Sequence, residues 1–423
     1  CCVGHGRSGA ALGHGDLDML QLVFRMMRRG VVWGAIAIST IVLAGRASHS
    51  VTHLNGVTKI VRSDAVNELA MEIWSHRLES EAGTRLQSGL AIKEVADISL
   101  DQSNRDAVWA RELIDRLNAI DASGLGHEDE LTRRYALDWL RHVSDGPLRY
   151  QFEFAVLPYS AGFLTGPYRQ YAAMAKFGSA DDRRAYLEFL KGYARLIDQI
   201  REKLAFQADA GIFLPKPAIP NARQFWVAMR DGAELFIPRP ERLAGLLEGE
   251  REAFISQAEA IVRTKIFLAH DRLIEAMGES YSSLAPAAVG LSQYKGGAEY
   301  YRDLLKDYAG FEEDPAALHA IGLARMQHIQ EQMADVRAQL GFAGGQRAFH
   351  DFLRRDPEFI ALRPEDVEAR YSAFLTDIEP RILSYFLLVP SAPYGVQRAD
   401  AATESGMTFG YYQVPSIAEP RGL

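Results

Sequence analysis

Three observations predict that this chain folds as a mainly α, multi-helix protein with little β structure. From residue 59 onward apolar side chains recur at three- and four-residue spacing, the period that buries one face of a helix. Those runs start and stop on capping residues, such as Asp314-Pro315 at one beginning and Gly341 at the corresponding end. Strand-like stretches are short, confined to the region 148–180 and to the section after residue 390.

Taken in order, Val61, Ala65, Leu69, Ile73 and, less regularly, Leu78 mark a first amphipathic helix over 59–80. A second runs from about Asn104 through Val108, Leu113, Ile114 and Leu117 to Ile120, where Ser123-Gly124 interrupts. A third spans about 130–143 and ends at Gly146-Pro147, because proline lacks the donor a continuing helix needs. Residues 148–180 are aromatic and β-branched at first, then broken by Pro158, Gly162, Gly166 and Pro167. They read as a short strand leading into a long loop, or as an irregular segment packed on the bundle. Core filling is the default for their aromatics, and lining a pocket is the functional alternative.

Helix resumes over 181–208, with Asp181 or Asp182 placed to cap it, and again after Pro215 and Pro217. The periodic run over 240–281 is too long for an isolated surface helix. Leu246, Phe254, Ala258, Ile261, Ile266, Leu273 and Met277 are its core candidates. Helices follow from Pro315 to Leu340, over 345–355 and over 364–387, and their apolar faces are expected to pack within the bundle. Beyond 390 the prolines and glycines exclude a long helix, leaving 409–414 as a possible short strand.

Composition excludes several classes. With 48% apolar and 24% charged residues the chain is globular, not disordered. A net charge of -8, from 47 basic and 55 acidic side chains, argues against nucleic acid or anionic lipid as a partner. Arg133-Arg134 and Arg354-Arg355 read as solvated helix faces. The two cysteines, Cys1 and Cys2, precede the folded body and form no metal or disulfide pattern. Residues 1–47 read as upstream sequence followed by a signal peptide. Arg28-Arg29 precede the apolar run GVVWGAIAISTIVLAG, and Gly45-Arg46-Ala47 offers small residues at a cleavage site. Residues 48–423 then form the helical body in the periplasm or another extracytoplasmic space. Only an uncleaved signal would tie it to a membrane.

The chemistry-bearing patterns are few. His49 and His53 have the spacing of a zinc pair without its glutamate, and His319 and His328 fall on roughly opposite faces of one helix. No nucleophile elbow, phosphate loop or dinucleotide fingerprint occurs. Tyr300-Tyr301 and Tyr411-Tyr412 stand out because a phenol can donate to a developing oxyanion, although packing is the default for both pairs.

Three blocks carry a resemblance. Residues 290–333 place glycines and a tyrosine pair before a leucine-rich stretch, with a His-x-x-Gly-Leu element at 319–323. LGFAGGQRAFHDFLRRDPEF at 340–359 keeps the same register, as do VPSAPYGVQRA and TFGYYQVPSIAEPRG near the end. In these the chain resembles the bacterial family known as domain of unknown function 885, whose members look like exported or lipid-anchored helical zinc metallopeptidases. The resemblance implies a large zincin-like helical scaffold. It also implies that the family's His-Glu-x-x-Pro-Gly-His-His element and downstream glutamate would lie past Leu423. The expectation is therefore the N-terminal and central part of a metallopeptidase-like protein, incomplete at the C-terminus. As a fragment it is expected to lack hydrolytic activity, catalytic residues, metal ligands and bound zinc. Zinc is expected in complete relatives. Tyr411 and Tyr412 are the candidate substrate-binding residues, and a peptide is the candidate ligand. The alternative is a non-catalytic extracytoplasmic peptide-binding or scaffold protein. Export predicts a mature protein beginning near residue 48. N-terminal sequencing checks this, and a product that retains the apolar run would refute cleavage.

Overall fold

The computed structural model describes residues 63–357, 360–386, 389, 392–398 and 412. The expected signal segment, His49, His53, Tyr411 and all of 409–414 except Tyr412 lie outside the described residues. The described elements are helical, with no β-strand among them.

The chain opens with α1 (Asp64–Ser80) and the short α2 (Ala82–Gln87). Helix α1 buries Val66, Leu69, Ile73, Trp74 and Arg77, so Leu69 and Ile73 face inward as expected, while Val66 and Arg77 take the inward places expected of Ala65 and Leu78. Next come α3 (Leu100–Asn118) and α4 (His127–Ser144). Helix α3 starts earlier than its apolar pattern suggests, because the Ser99 side chain accepts from the backbone N–H of Gln102 at 3.2 Å. Val108 faces solvent, while Ala107, Ala110, Leu113 and Leu117 point inward. Leu69 and Ile73 of α1 join Leu113, Leu117, Leu137 and Leu140 in a small core of their own.

Two helices replace the strand and loop expected over 148–180. α5 (Gly146–Phe152) follows α4 directly, and Pro147 sits in its first turn, where its missing N–H costs nothing. α6 (Pro158–Met174) again starts on a proline and carries Pro167 internally. That proline removes the donor to the Phe163 carbonyl, and Phe163 is exposed, so water can replace the lost bond. The aromatic signal of this region comes from core filling: Phe152, Phe154 and Tyr168 are buried.

The large core is built on α7 (Ala180–Asp209), 30 residues long. Its cap is Ser179, two positions before Asp181, the nearer of the expected aspartates. Asp182 acts from the third helical position, donating its N–H to Ser179 Oγ and accepting the Ser179 N–H, a reciprocal capping box. Against α7 pack α9 (Glu248–Ile261), a π turn over Val262–Ile266 and α10 (Phe267–Ala276). The last of these also packs on α8 (Ile219–Asp231). Phe254, Ala258, Ile266, Leu273 and Met277 are buried as expected, with Leu246 and Ile261 only partly so. The short α11 (Glu279–Leu284) and α12 (Gly297–Ala309) close this body.

The remaining helices are α13 (Pro315–Gln339), α14 (Gln346–Leu353), α15 (Pro364–Ile378) and α16 (Ile382–Tyr385). Helix α13 begins as predicted, with Asp314 Oδ2 accepting the Ala317 N–H at 3.0 Å, and it ends before Gly341 at φ +68. The packing expected of it is absent. No residue of α13 or α15 is buried, and Leu323 is 59% exposed. Periodicity specified helices here, but burial needs a facing surface that the described body does not offer.

This contrast is measurable. Leu190→Ala, at a fully buried site on α7, should cost about 2–5 kcal/mol of stability. Leu323→Ala should change it by less than about 0.5 kcal/mol. Urea denaturation compares the two, and equal losses would show that α13 is packed in solution.

Candidate functional site

Where the small core meets the large one, α3, α4, α5 and α7 leave a cleft of about 260 Å³ lined by Asp97, Asp106, His142, Arg149, Tyr150 and Lys203, among others. Close approach of α5 to α3 depends on Gly146, since a Cβ there would fall 2.7 Å from Ser103 Oγ. The free carbonyls at the end of α5 are satisfied from α7. Gln207, 1% exposed, donates Nε2 to the carbonyls of Tyr150, Gln151 and Glu153 at 3.2, 3.1 and 3.0 Å. One side chain thus fixes the end of α5 against α7 and sets the positions of Arg149 and Tyr150.

Arg149 is buried and matched. It donates Nη1 to Glu153 Oε1 at 2.9 Å and Nη2 to Asp307 Oδ2 at 2.7 Å, which brings α12 to the site. Tyr300 donates its hydroxyl to the same Glu153 oxygen at 2.8 Å and stacks on Phe152, with ring centroids 4.9 Å apart. Burial, together with the Glu153 charge, pushes the Tyr300 phenol well above its usual range. It therefore stays protonated and acts as a donor. Tyr301, its neighbour in sequence, is exposed. Sequence reading singled out the pair; only Tyr300 enters the polar cluster.

Lys203 differs from Arg149. Its Nζ lies 5.0 Å from the centroid of the Tyr150 ring, and no carboxylate of the described residues is within ion-pair distance of it. Burial pushes its pKa down to about 8, with Glu153 opposing. The same burial lifts Tyr150 to about 12. Burial, with Arg149 adding to it, also lowers His142, so its ring is kept neutral. Burial raises Asp145. Asp97 stays below its usual range despite burial, because it accepts from the Ser99 N–H at 2.9 Å and from Gln199 Nε2 at 2.6 Å. The cleft therefore offers one unmatched ammonium, a protonated phenol and carboxylate acceptors, a set suited to binding a polar ligand with a carboxylate. Nothing in the sequence marked Lys203 or Arg149. Lys203 sits in an ordinary helical run and Arg149 in a segment with strand-like signals, and only the tertiary contact of α5 with α7 joins them.

The other expected residues fall elsewhere. Tyr412 is half exposed, and its partner Tyr411 lies outside the described residues. His319 and His328 are exposed on α13, and Arg133 and Arg134 pair with Glu130. Among the described residues no group of three or more His, Cys, Asp or Glu side chains is arranged to hold a metal ion. No helix among them is long and apolar enough to cross a membrane.

Comparison with known proteins supplies the family. A model described as bacterial protein of unknown function, DUF885, matches residues 81–422. No curated protein matches the chain. The crystal structure of "the putative lipoprotein from Colwellia psychrerythraea" is similar in fold, with a TM-score of 0.73 and 16% identity. The match covers 85% of this chain and 66% of that one, so this chain spans less than two thirds of its length.

The Lys203 environment fixes a pH dependence. Its folded pKa of about 8 lies below the ordinary 10.5, so between these values the unfolded chain holds the proton that the folded chain has released. Its contribution to stability is thus fully present above about 10.5 and lost as pH falls through about 8. Lys203→Met removes this dependence. The stability of the variant relative to the wild type should be greatest near pH 7 and should decline as pH rises from 8 to 10.5. Urea denaturation across that range measures it, and the comparison cancels the opposite contribution of Tyr150. A constant difference would contradict the assignment.

Proposed function

The chain belongs to the bacterial family of unknown function DUF885, and on that premise we propose that it is a non-catalytic extracytoplasmic peptide-binding protein. In this reading residues 48–423 are the N-terminal and central portion of a zincin-like helical architecture, and the cleft between α3, α5 and α7 receives the carboxylate of a peptide. One observation carries it: Lys203 is an ammonium with no carboxylate of the described residues in ion-pair distance, while Arg149 beside it is already matched by Glu153 and Asp307. A ligand carboxylate on Lys203 would regain the charge pairing that burial denies it, and Asp97 and Asp106 stand ready to accept peptide N–H groups. The signal-peptide pattern supports placement outside the cytoplasm, as does the lipoprotein description of the protein with the similar fold. Tyr411 and Tyr412 are proposed as a second contact on the family resemblance alone.

A scaffold role is favoured by a separate observation. Helix α13 carries Ile321, Leu323, Met326 and Val336 in exposed positions, and a helix apolar on several sides belongs in a packed interior. The proposed occupant of that face is a helical, apolar segment corresponding to the part of the solved architecture outside the match.

Peptide binding is tested by calorimetry with one peptide in two forms, free acid and C-terminal amide. The free acid should bind at least about tenfold more tightly, and Lys203→Met should remove that preference, as loss of a charge-assisted hydrogen bond implies. Equal affinity of both forms, or no binding of either, would refute the carboxylate site.

A further inference from the structure

Away from the cleft, inside the large core, three side chains from three helices carry buried polar atoms with no hydrogen-bond partner among the described residues: Arg169 Nη1 on α6, Tyr193 Oη on α7 and His270 Nε2 on α10. Tyr193 and His270 are 0% exposed, with ring centroids 6.3 Å apart. Arg169 reaches inward past Gly232, where a Cβ would sit 3.6 Å from Nη2 and 3.7 Å from Nη1. Gly232 opens the short turn that ends at Phe236, whose ring lies 4.6 Å from that of Tyr193. The guanidinium is close enough to act on both rings. It adds to the effect of burial in lowering His270, and at Tyr193 it opposes burial together with the nearby Thr165 hydroxyl, which itself donates to the Ala161 carbonyl.

The direction of His270 depends on the π turn that precedes it. Along α9 and the π turn the buried positions are Phe254, Ala258, Val262 and Ile266, each four residues after the last. At the ordinary helical period a four-residue step drifts around the axis, and the wider turn over Val262–Ile266 absorbs that drift. His270 is thereby brought onto the buried face. Such turns often mark positions where a side chain is aimed at something specific.

Hydrogen-bonding chemistry then defines what fits. His270 Nδ1 lies 2.8 Å from the Ile266 carbonyl oxygen, which can only accept, so Nδ1 carries the proton. Burial keeps the ring neutral, and Nε2 therefore presents a lone pair. Arg169 Nη1 can only donate, and the Tyr193 hydroxyl keeps its proton. Two donors and one acceptor need a partner that accepts two bonds and donates one. An anion has no proton to offer Nε2 and would face its lone pair, so it does not fit. We propose that a single ordered water molecule binds among Arg169, Tyr193 and His270. It accepts from Nη1 and Oη and donates to Nε2, joining α6, α7 and α10 through one oxygen. Unmatched buried polar atoms of this kind are where structural waters are held.

A crystal structure of the chain at about 1.5 Å resolution tests this. The expected result is a water peak within about 3.2 Å of all three atoms. In the conservative variant Tyr193→Phe the peak should weaken or vanish, with Tm lower by about 2–4 °C. Three results would overturn the proposal. One is no peak, with the Tyr193 hydroxyl donating to Thr165 Oγ1. Another is a bromide in its place after soaking, seen by anomalous scattering. The third is a peak unchanged in height and position in Tyr193→Phe.

Discussion

Helix α7 is the element on which the rest of the described body depends. Its ten buried positions, Tyr186 through Gln207, recur every three or four residues and run almost its whole length. A fully buried Leu, Ile or Phe contributes about 1.5–3 kcal/mol, so this face holds a large share of the driving force for folding. The same stripe supplies the polar geometry. Tyr193 lies at its middle, and Gln207 and Lys203 lie near its end. A helix that is rigid because it is buried can hold these groups at fixed spacing. A loop carrying the same residues would not.

The cleft follows from a mismatch between two cores. The small core of α1, α3 and α4 closes on itself through Leu69, Leu113 and Leu140, while the large core closes around α7. α5 bridges them and is too short to bury a stripe of its own. Its burial rests on Tyr150 and Phe152, and its end rests on Gln207. Two convex apolar surfaces meeting at so short a connector leave a polar crevice. Charged side chains from both sides must then pair across it. Arg149 is matched by Glu153 on its own segment and by Asp307 from α12. Lys203 is not, and that asymmetry gives the crevice its chemical character.

Much of the architecture was legible in sequence because the signals were local. Asp314-Pro315 and Gly341 mark the ends of α13 through capping alone, and the inward positions of α9 and α10 follow from spacing alone. Failures arose where tertiary contacts outweighed local signals. The aromatics of 148–180 read as strand, yet the segment is helical, because Pro147 and Pro158 fall in first turns and the aromatic faces are buried against α7. Ser99 and Ser179 are weak cap signals in sequence because neighbouring carboxylates and apolar residues give stronger local patterns. The cleft residues were illegible for a further reason. Arg149 and Lys203 lie 54 positions apart, each resembles any solvated cation, and only the folded contact makes one matched and the other unmatched.

The exposed apolar surface of α13 and α15 carries the same logic one step further. Capping and propensity suffice to write a helix into a sequence, but they do not give it a reason to be apolar over so wide an arc. Along α13, Ile321, Leu323, Met326 and Val336 point in different directions, so no single docking face against the described body could bury them all. Scattered surface leucines are unremarkable on any globular protein; several large apolar side chains exposed along one helix are less common. The stability of the body around α7 therefore answers to packing present in the described residues, whereas the composition of α13 does not.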